Sequence, residues 1–556
     1  MPNHANQRTG QSGPDAARGA ARPVKTTPDY IIVGGGSAGC VLANRLSADP
    51  TVHVLLLEAG PPDKHLLYRM PAGFFALMKA GRGNWTFESV PQPTLNGRRM
   101  YFPRGKVLGG SSAINGLVVS RGNAGDYDRW ASLGNAGWAW QDVLPYFKRI
   151  ECFPEGDPAV RGQDGPIGVT QVALATMNPT SRAWIEGAQQ AGHPFNLDMN
   201  AGDPFGVAQM QGNYTDGLRQ STSECYLRPV QARPNLRVMT GALATRVLLD
   251  GKRAIGVEVL RAGRLERLLS GCEVILAGGV VNSPQLLQLS GIGDPADLTP
   301  HGIQVQHVLT GVGKNLRDHI AVSVKLRITR PYSLLRDLKW HRMAWAGLQY
   351  LVSRSGPTAV GALEAWAQLK TQPDVPYPDL QVYSVPLLYN DHGRDIIHEE
   401  GCQAVMNGCR PRSVGSIRIA SSDPTVAPHI DPQYFSDTDD LRVLRDGIRL
   451  TRDIFAQRAY SDFRGSEYAP GDAVHTNAQL DAYIRDNANT LYHPVGTCKM
   501  GIDDDAVVDP ALRVRGIEAL RVIDASVMPD LCSGNTNFPT MMIAEKAADM
   551  ILGRSA

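Results

Sequence analysis

A glycine-rich stretch near the start of the chain has the spacing that binds a dinucleotide. Gly34, Gly36 and Gly39 fit G-x-G-x-x-G, and Glu58 follows 19 residues after the third glycine. The first glycine permits a tight turn, the second lets a pyrophosphate approach the backbone, and the third allows close helix–strand packing. Ser37 stands at the predicted helix start, where free N–H groups attract phosphate. The carboxylate of Glu58 suits the hydroxyls of an adenosine ribose.

The same residues also fit G-x-S-x-G, the nucleophile elbow of α/β hydrolases, in which Ser37 would attack a carbonyl group. That elbow follows earlier strands and an upstream oxyanion loop, whereas residues 1–28 carry no strand pattern. Dinucleotide binding is therefore favoured, with Ser37 as a small residue beside a phosphate.

A second glycine cluster contains Gly109, Gly110, Ser111 and Asn115. Paired glycines followed by hydroxyl groups expose backbone N–H groups, which suit a phosphate or a flat ring. A plain loop is the alternative interpretation.

Two segments near the C-terminus could complete the same site. Asp524 ends an apolar run and is followed by Ala525, so its carboxylate either binds a hydroxyl of the cofactor or caps a helix. Asn535 and Asn537 precede the last predicted helix, whose free N–H groups could face an electron-rich ring.

The elements that must position these residues are short apolar runs. Residues 30–33 and 52–57 predict buried strands on either side of a helix at 38–46, which favours a parallel α/β sheet. Residues 236–259 predict a hairpin with its turn at 250–251.

The pattern changes from about residue 320 to residue 480. Alternating segments with many prolines predict a second domain built on an antiparallel sheet. A Trp-rich stretch at 334–350 predicts a helix that either packs by an amphipathic face or touches a membrane.

Composition excludes several classes of function. The 556 residues include 56 Lys and Arg against 54 Asp and Glu, so the net charge of +2 gives no electrostatic case for nucleic acid or an anionic membrane as a partner. The eight cysteines form no C-x-x-C pair, which argues against a disulfide framework or zinc ribbon, and no metal is expected. Neither a secretory signal nor a spanning run is recognised, so we expect a cytoplasmic protein, with peripheral membrane contact left open.

Taken in order, these segments resemble the glucose–methanol–choline oxidoreductases, and within them the branch of choline dehydrogenases and related FAD-dependent alcohol dehydrogenases. The resemblance covers residues 29 to 553. It is carried by residues 29–39, 56–60, 96–100, 104–116, 282–293, 311–319, 492–501 and 522–526.

The resemblance implies an α/β fold in which a Rossmann-like FAD-binding domain is interleaved with a substrate-binding domain built on an antiparallel sheet with helices. The expected division is a flexible tail at 1–28, an FAD-binding domain at 29–185, 226–320 and 481–556, and a substrate-binding domain at 186–225 and 321–480.

It also implies roles for single residues. Val247 matches the position whose backbone meets adenine, and Asp524 matches a flavin-chain contact. Some relatives attach FAD covalently through a histidine where this chain has Ile114, so noncovalent FAD is expected. His493 matches the catalytic histidine, and Asn537 matches the second active-site position.

These residues suit alcohol oxidation. An imidazole such as that of His493 can take the hydroxyl proton as general base, while hydride passes to flavin N5. The leading hypothesis is FAD-dependent oxidation of a primary alcohol to an aldehyde, with electrons passed to a quinone-type or other acceptor. Choline dehydrogenation, an O2-using alcohol oxidase and, more remotely, a non-redox hydroxynitrile lyase are the alternatives. Glu364, beside Trp366, is a weak candidate for binding a quaternary ammonium substrate. The oligomeric state is not predicted.

Overall fold

The computed structural model describes residues 27–554. Almost all of the predicted tail at 1–28 therefore lies outside the described residues. The helices are α1 Ser37–Leu46, α2 Gly73–Ala80, α3 Ala124–Ser132, α4 Trp140–Ile150, α5 Pro179–Gln190, α6 Gly279–Leu289, α7 Pro295–Leu298, α8 Trp340–Ser353, α9 Asp439–Ala456, α10 Asn477–Asn487 and α11 Asn537–Leu552.

The strands fall into three larger sheets and a set of short pairs. The longer strands are β1 Tyr30–Val33, β2 Val54–Glu58, β3 Gly206–Gln209, β4 Leu236–Thr240, β5 Ala242–Asp250, β6 Arg253–Arg261, β7 Arg264–Leu269, β8 Glu273–Leu276, β9 Ile320–Ile328, β10 Ala365–Leu369, β11 Leu380–Val385, β12 Gly401–Gly408, β13 Arg464–Ala469 and β14 Leu520–Val522. The short pairs are Phe87–Glu88 with Tyr101–Phe102, Glu151–Cys152 with Ile167–Gly168, Thr170–Gln171 with Gln211–Gly212, Tyr214–Thr215 with Leu218–Arg219, Ile292–Gly293 with His307–Val308, Tyr389–Asn390 with Asp395–Ile396, and Ser416–Arg418 with His429–Asp431.

The first sheet is parallel and has the order β4-β2-β1-β8-β14. Strand β1 pairs with β2 and β8, so that Tyr30 lies opposite both Val54 and Glu273. The strands are apolar and almost wholly buried, as expected for a parallel sheet covered on both faces. The last strand, β14, comes from the C-terminal part of the chain. The predicted α/β unit at residues 30–58 is confirmed.

The second large sheet is antiparallel and has the order β13-β9-β12-β11-β10-β3, and Asn489–Thr490 adds to the start of β9. The apolar residues of β9 at alternate positions, such as Val322 and Val324, pack in a core with helices α5, α9 and α10. The opposite face of the sheet carries Ser323 and Lys325 toward a cavity. Helices on one face leave the other face free to line a site.

Of the hairpin predicted at 236–259, the part from residue 242 onward is present as β5 and β6, which turn at Gly251 and are joined by β7 in a three-stranded sheet, whereas residues 236–240 form β4 of the parallel sheet. The strand order assigns β3 to the antiparallel sheet and β4 to the parallel one. The finer division of the chain into domains stays a prediction.

Helix α8 differs from an amphipathic helix packed on a core. Only Ala346 and Tyr350 of its residues are buried, while Trp340 is 79% and Trp345 is 67% exposed. No helix among residues 27–554 is long and apolar enough to cross a membrane.

Candidate active site

One large cavity runs between the parallel sheet and the antiparallel sheet, with a volume of about 650 Å³. We call the part beside α1 the nucleotide end and the part lined by β9, β11 and β12 the sheet end. Most of the residues singled out from the sequence line this cavity. They are Gly34, Gly36, Ser37, Glu58, Gly110, Ser111, Asn115, His493, Asp524, Ala525, Asn535 and Asn537.

The turn between β1 and α1 is built by close backbone contacts that exclude side chains. Gly34 has φ +112°, and a Cβ there would lie 2.3 Å from the carbonyl oxygen of Ala277. A Cβ on Gly39 would lie 1.8 Å from the carbonyl oxygen of Gly34. Gly39 therefore acts through packing and does not line the cavity. A Cβ on Gly36 would find open space, with its nearest contact at 3.8 Å, so a ligand can approach this residue.

The start of α1 presents N–H groups to this space. Gly36 precedes the helix, and no side chain caps it. The first N–H groups of an α-helix have no partner within the helix, and they carry a partial positive charge. The nucleotide end can therefore hold an anionic phosphate group at Gly36 and Ser37.

Glu58 ends β2 at the same place. Its two carboxylate oxygens accept hydrogen bonds from the N–H groups of Gly35 at 2.9 Å and Gly60 at 2.7 Å. Burial raises the pKa of Glu58 to about 7, and these two N–H groups partly offset the rise. The carboxyl group is thus fixed in orientation at the edge of the cavity.

The second glycine cluster packs directly on the first. The N–H of Gly109 donates to the carbonyl of Gly35 at 2.7 Å, and Gly109 lies behind the cavity wall. A Cβ on Gly110 would lie 2.7 Å from Cα of Gly36. Ser111 accepts from the N–H of Gly105, and Asn115 Oδ1 accepts from Arg219 at 2.8 Å. These contacts hold a loop against the turn at Gly34, as expected for two clusters that serve one ligand.

Asp524 caps a short helix and also lines the cavity, and its contact with a hydroxyl of the cofactor stays a prediction. Its Oδ1 accepts from the N–H of Ser526, which caps the short helix Ala525–Val527, and the residue also lines the cavity. Its Oδ2 accepts from the N–H of Gly279 at 2.8 Å and from Ser283 Oγ at 2.6 Å. The carboxylate thus joins the C-terminal segment to the start of α6.

His493 lines the cavity away from the glycine turn and belongs to a chain of hydrogen bonds. Its Nδ1 lies 3.0 Å from Nδ1 of His319, and Nε2 of His319 lies 2.9 Å from the carbonyl oxygen of Cys409. On the other side, Nε2 of His493 lies 2.9 Å from Nδ2 of Asn535. The Oδ1 of Asn535 accepts from the hydroxyl of Tyr383 at 2.8 Å.

These contacts determine which nitrogen atoms carry protons. A carbonyl oxygen only accepts, so His319 must hold its proton on Nε2 and leave Nδ1 as an acceptor. His493 then donates from Nδ1, and its Nε2 carries a lone pair that accepts from the amide of Asn535. Burial lowers the pKa of His319 to about 4 and the pKa of His493 well below its ordinary value, so both rings are neutral near pH 7.

The backbone of His493 is held by a buried carboxylate. The N–H of His493 donates to Asp318 Oδ1 at 2.9 Å, while the hydroxyl groups of Thr490 and Tyr434 donate to its Oδ2. Burial raises the pKa of Asp318 to about 6. The imidazole is therefore fixed both through its ring and through its backbone.

The amide that contacts His493 is that of Asn535, whereas the sequence pairs His493 with Asn537. Helix α11 begins at Asn537, so Asn535 lies in the loop before it and points toward the imidazole. Asn537 Oδ1 instead accepts from Ser37 Oγ at 2.8 Å, which links the starts of α1 and α11. Both asparagines line the cavity. The catalytic role of Asn537 and the cofactor-binding role of Asn535 stay predictions.

Val247 lies away from the cavity. Its N–H donates to Ser290 Oγ at 2.8 Å, and a register irregularity between Ala244 and Arg246 shifts the pairing of β5 just before it. The residues of this strand that line the cavity are Ala242, Leu243 and Ala244. If an adenine meets this strand, it does so about three residues before the position taken from the sequence.

Glu364 also points elsewhere. Its Oε2 accepts from the N–H of Asn178 at 2.9 Å, which places the carboxylate at the N-terminus of α5. The residues beside it that line the cavity are Ala362 and Leu363. A carboxylate at a helix N-terminus is stabilised by the helix dipole, which accounts for this orientation.

Sequence analysis did not predict three features of the site. Tyr383 orients Asn535, and Lys325 lies at the sheet end. The third feature is the hydrogen bond between His319 and His493. Only His319 carried a signal, because it directly follows Asp318 in a motif of the resemblance. Tyr383 and Lys325 lie on strands whose sequence does not show which face meets the cavity.

A glycine turn at a helix start, a buried acid at the end of β2 and a neutral buried histidine surround one cavity, as expected for an oxidoreductase that binds a dinucleotide. Models of GMC oxidoreductase match residues 28–321 and 411–544. The mitochondrial choline dehydrogenase of Mus musculus is 43% identical over 98% of this chain and 93% of its own length. The oxygen-dependent choline dehydrogenase of Photobacterium profundum is 42% identical over 96% of this chain and 94% of its own.

Solved structures of two oxidases have folds similar to that of this chain over nearly its full length. Pyridoxine 4-oxidase from Mesorbium loti has a TM-score of 0.87 and 29% identity, covering 95% of this chain and 100% of its own. A formate oxidase of Aspergillus oryzae, studied for FAD modification, has a TM-score of 0.89 and 27% identity, covering 95% and 98%.

The chain belongs to the GMC oxidoreductase family. It is a flavin-dependent oxidoreductase that acts on CH–OH donors, with FAD as its cofactor.

Proposed function

We propose that this protein oxidises a primary alcohol to an aldehyde, with His493 as the general base. The observation that carries the proposal is the chain of hydrogen bonds from Cys409 through His319 and His493 to Asn535, which leaves Nε2 of His493 as a proton acceptor inside the cavity. A base must be unprotonated to act, and burial keeps this imidazole neutral.

Asn535 positions the reacting oxygen. Its Nδ2 already faces Nε2 of His493, and Tyr383 holds its amide in that orientation. An alcohol hydroxyl that enters beside both groups donates its proton to Nε2 and accepts a hydrogen bond from Nδ2. The amide donor then stabilises the negative charge that grows on the oxygen as the proton leaves. Bound FAD supplies the acceptor for the hydride that departs from the alcohol carbon.

The nucleotide end fits this cofactor. The uncapped start of α1 at Gly36 and Ser37 suits the pyrophosphate, Glu58 suits the ribose, and Asp524 with Ala525 suits the flavin chain. Gly110, Ser111 and Asn115 complete the wall opposite Gly36.

We propose that the FAD is held without a covalent bond. The residue in the second glycine cluster that would carry the link is Ile114, whose side chain has no nucleophilic atom. Acid precipitation of the holoenzyme should release the yellow chromophore into the supernatant. A flavin that stays with the precipitated protein would contradict this.

Choline is a second candidate substrate, favoured by the names of the similar choline dehydrogenases. Glu364 does not serve as its anionic partner, because this carboxylate binds the start of α5.

The test is anaerobic mixing of the holoenzyme with a panel of primary alcohols that includes choline. Loss of the flavin absorption bands with any of them supports alcohol oxidation, and unchanged bands with all of them would contradict it. Repeating the assay in air and with a soluble quinone separates an O2-using oxidase from a dehydrogenase.

We further propose that the electron acceptor is reached at a membrane, through helix α8. Its exposed side chains include Trp340, Trp345, Leu351 and Val352, and the segment Trp340–Ser353 contains no acidic residue. Exposed cations lie within or beside it, namely Arg336, Lys339, Arg342 and Arg354, with the carboxylate of Asp337 close to Arg336 and Arg342. Exposed tryptophans with basic neighbours are typical of helices that lie in the interface of anionic lipids.

Helix α8 adjoins the cavity. In the loop after it, the carbonyl of Thr358 accepts a hydrogen bond from the N–H of Ala72, just before α2. Phe74 and Phe75 of α2 line the cavity. A quinone dissolved in the bilayer would therefore meet the protein close to the cavity.

Co-sedimentation with liposomes tests this surface. Wild-type protein should sediment with vesicles that contain phosphatidylglycerol and much less with pure phosphatidylcholine. The double variant Trp340→Ser/Trp345→Ser should stay in the supernatant. The matched control Leu197→Ser/Ile502→Ser removes equally exposed apolar residues elsewhere and should sediment like wild type. Wild-type protein that remains in the supernatant with both vesicles would contradict the proposal.

A further inference from the structure

A lysine lies inside the cavity, at the sheet end, without a carboxylate partner. Lys325 of β9 is only 6% exposed, and it lines the cavity together with Ser323 of the same strand. Its Nζ donates to Oδ1 of Asn390, which is the single protein acceptor seen for it among residues 27–554. An ammonium group has three donors, so two remain available. It forms no ion pair with any described carboxylate.

The position of Lys325 relative to the catalytic groups follows from the strand register. Lys325 pairs with Gln403 of β12, and Gln403 pairs with Val385 of β11. Tyr383, which holds Asn535, lies two residues before Val385. Two strand spacings across the sheet and two residues along it separate the Cα atoms of Lys325 and Tyr383 by about 12 Å. A molecule of moderate length could thus place one end at His493 and the other at Lys325.

The wall between these points is continuous. Asn390, which holds Lys325, is two residues from His392, and Nδ1 of His392 hydrogen-bonds the hydroxyl of Tyr492. Tyr492 directly precedes His493, and all of these residues line the cavity.

Cations and carboxylates both lie at this end of the cavity. Arg98 and Arg104 line the cavity as well, and each donates to a backbone carbonyl, with Arg104 bonded to Tyr492 at 2.6 Å. Of the two acids that line this end, Asp391 pairs with Arg394 at 2.7 Å and Asp486 accepts from Asn96 at 2.7 Å.

A third carboxylate, that of Asp395, contacts Lys325 only through Asn390. Asp395 accepts from Nδ2 of Asn390 at 3.0 Å, so it orients the amide that holds the lysine. Burial lowers the pKa of Lys325 to about 8, and Asp395 partly offsets that effect. The side chain is therefore mostly charged near pH 7. Burying a charge is costly unless it is paired, so a buried cation with free donors is suited to an anionic or oxygen-rich ligand group.

We propose that Lys325 and Asn390 form a second recognition point of the substrate site, which binds a carboxylate or a similar oxygen acceptor on the far end of an alcohol and disfavours a quaternary ammonium group. The inference rests on the proposed alcohol oxidation at His493 and adds the substrate class. The preferred substrate is then an alcohol with a distal anionic group rather than choline.

Three alcohols of equal chain length test this, namely 8-hydroxyoctanoate, 1-octanol and (8-hydroxyoctyl)trimethylammonium. The kcat/KM of the wild-type holoenzyme should rank them in that order. Lys325→Met should lower kcat/KM for 8-hydroxyoctanoate by about 10- to 100-fold, the size of one charge-assisted hydrogen bond. The same variant should leave 1-octanol within a few-fold of wild type and raise the value for the ammonium compound.

Two further variants keep the test decisive. Lys325→Gln preserves a polar side chain and should show the same pattern if Lys325→Met does not fold. Lys370→Met removes a lysine that lies over the ring of Phe205, and should leave all three values unchanged. A wild-type preference for the ammonium compound, or an equal loss for all three alcohols in the Lys325 variants, would overturn the inference. Failure of every alcohol to reduce the flavin would instead overturn the proposed function.

Discussion

The nucleotide end of the cavity is built from backbone, whereas the sheet end is built from side chains. At the nucleotide end, Gly34, Gly39 and Gly110 let chain segments approach so closely that a Cβ would collide with a neighbouring backbone atom. At the sheet end, Lys325 and Tyr383 project from one face of antiparallel strands. The first arrangement fixes the shape that a common cofactor needs, and the second leaves room for the substrate to differ among relatives of the same fold.

The first prediction gives the largest expected effect, at the sheet end. His493→Ala should lower the rate of flavin reduction by about 10²- to 10⁴-fold, because it removes the general base. The FAD content should stay at the wild-type level, since the groups proposed to hold the nucleotide lie at the other end of the cavity. Anaerobic stopped-flow absorbance measures the rate. His429→Ala, which changes an exposed histidine, serves as the control and should match wild type. A rate within a few-fold of wild type would remove His493 from its role.

The second prediction concerns the backbone-built end. Gly39→Ala should lower the free energy of unfolding by about 1–3 kcal/mol, because the new Cβ would overpack a contact of 1.8 Å with Gly34. It should also weaken FAD binding, since Gly34 shapes the turn. Thermal unfolding and the ratio of flavin to protein absorbance measure both effects.

Gly347→Ala is the matched control for this change. A Cβ on Gly347 meets no atom within 4 Å, and alanine favours a helix, so this variant should be as stable as wild type or slightly more stable. Full FAD content and unchanged stability in Gly39→Ala would show that the turn tolerates a side chain, and would weaken the contrast between the two ends.

The contrast also explains what the sequence could predict. The strand, turn and helix at residues 30–58 are confirmed because their pattern is local, and the acid at Glu58 is spaced by one such unit. The presence of an antiparallel sheet was predicted, but not its strand order. Its cavity-facing residues could not be, because the side of the sheet that meets the cavity depends on where helices α5, α9 and α10 pack.

Single residues show the same limit. The part of β5 that lines the cavity ends at Ala244. A shift in the pairing register follows, and Val247 lies beyond it. Glu364 has a residue type suited to a cationic substrate, but the start of α5 lies nearby and takes its carboxylate. Asn535 and Asn537 differ by two positions, and the residue at which α11 begins decides which of them faces His493. Each of these outcomes depends on contacts between segments that are distant in the chain.

A third prediction separates the two asparagines. Asn535→Ala should lower the rate of flavin reduction by about 100-fold, because it removes the donor that stabilises the reacting oxygen. Asn537→Ala loses only the hydrogen bond from Ser37 and should stay within about 10-fold, the range of one neutral hydrogen bond. The same stopped-flow assay measures both. A larger loss in Asn537→Ala would return the second active-site role to the position that the sequence favours.

The smallest predicted effect belongs to the residue that only orients another. Tyr383→Phe removes the hydroxyl that donates to Asn535 Oδ1 and should slow flavin reduction by about 2- to 10-fold. Tyr460→Phe is the control, because Tyr460 is equally buried and its hydroxyl donates to the carbonyl of Thr180 on the helix-covered face of the sheet. It should change stability without changing the rate.

If Tyr383 acts through Asn535, the double variant Tyr383→Phe/Asn535→Ala should be no slower than Asn535→Ala alone, since the hydroxyl then has no amide to orient. Additive losses would mean that Tyr383 acts on the substrate directly, and that the sheet end contains a further contact to the reacting alcohol.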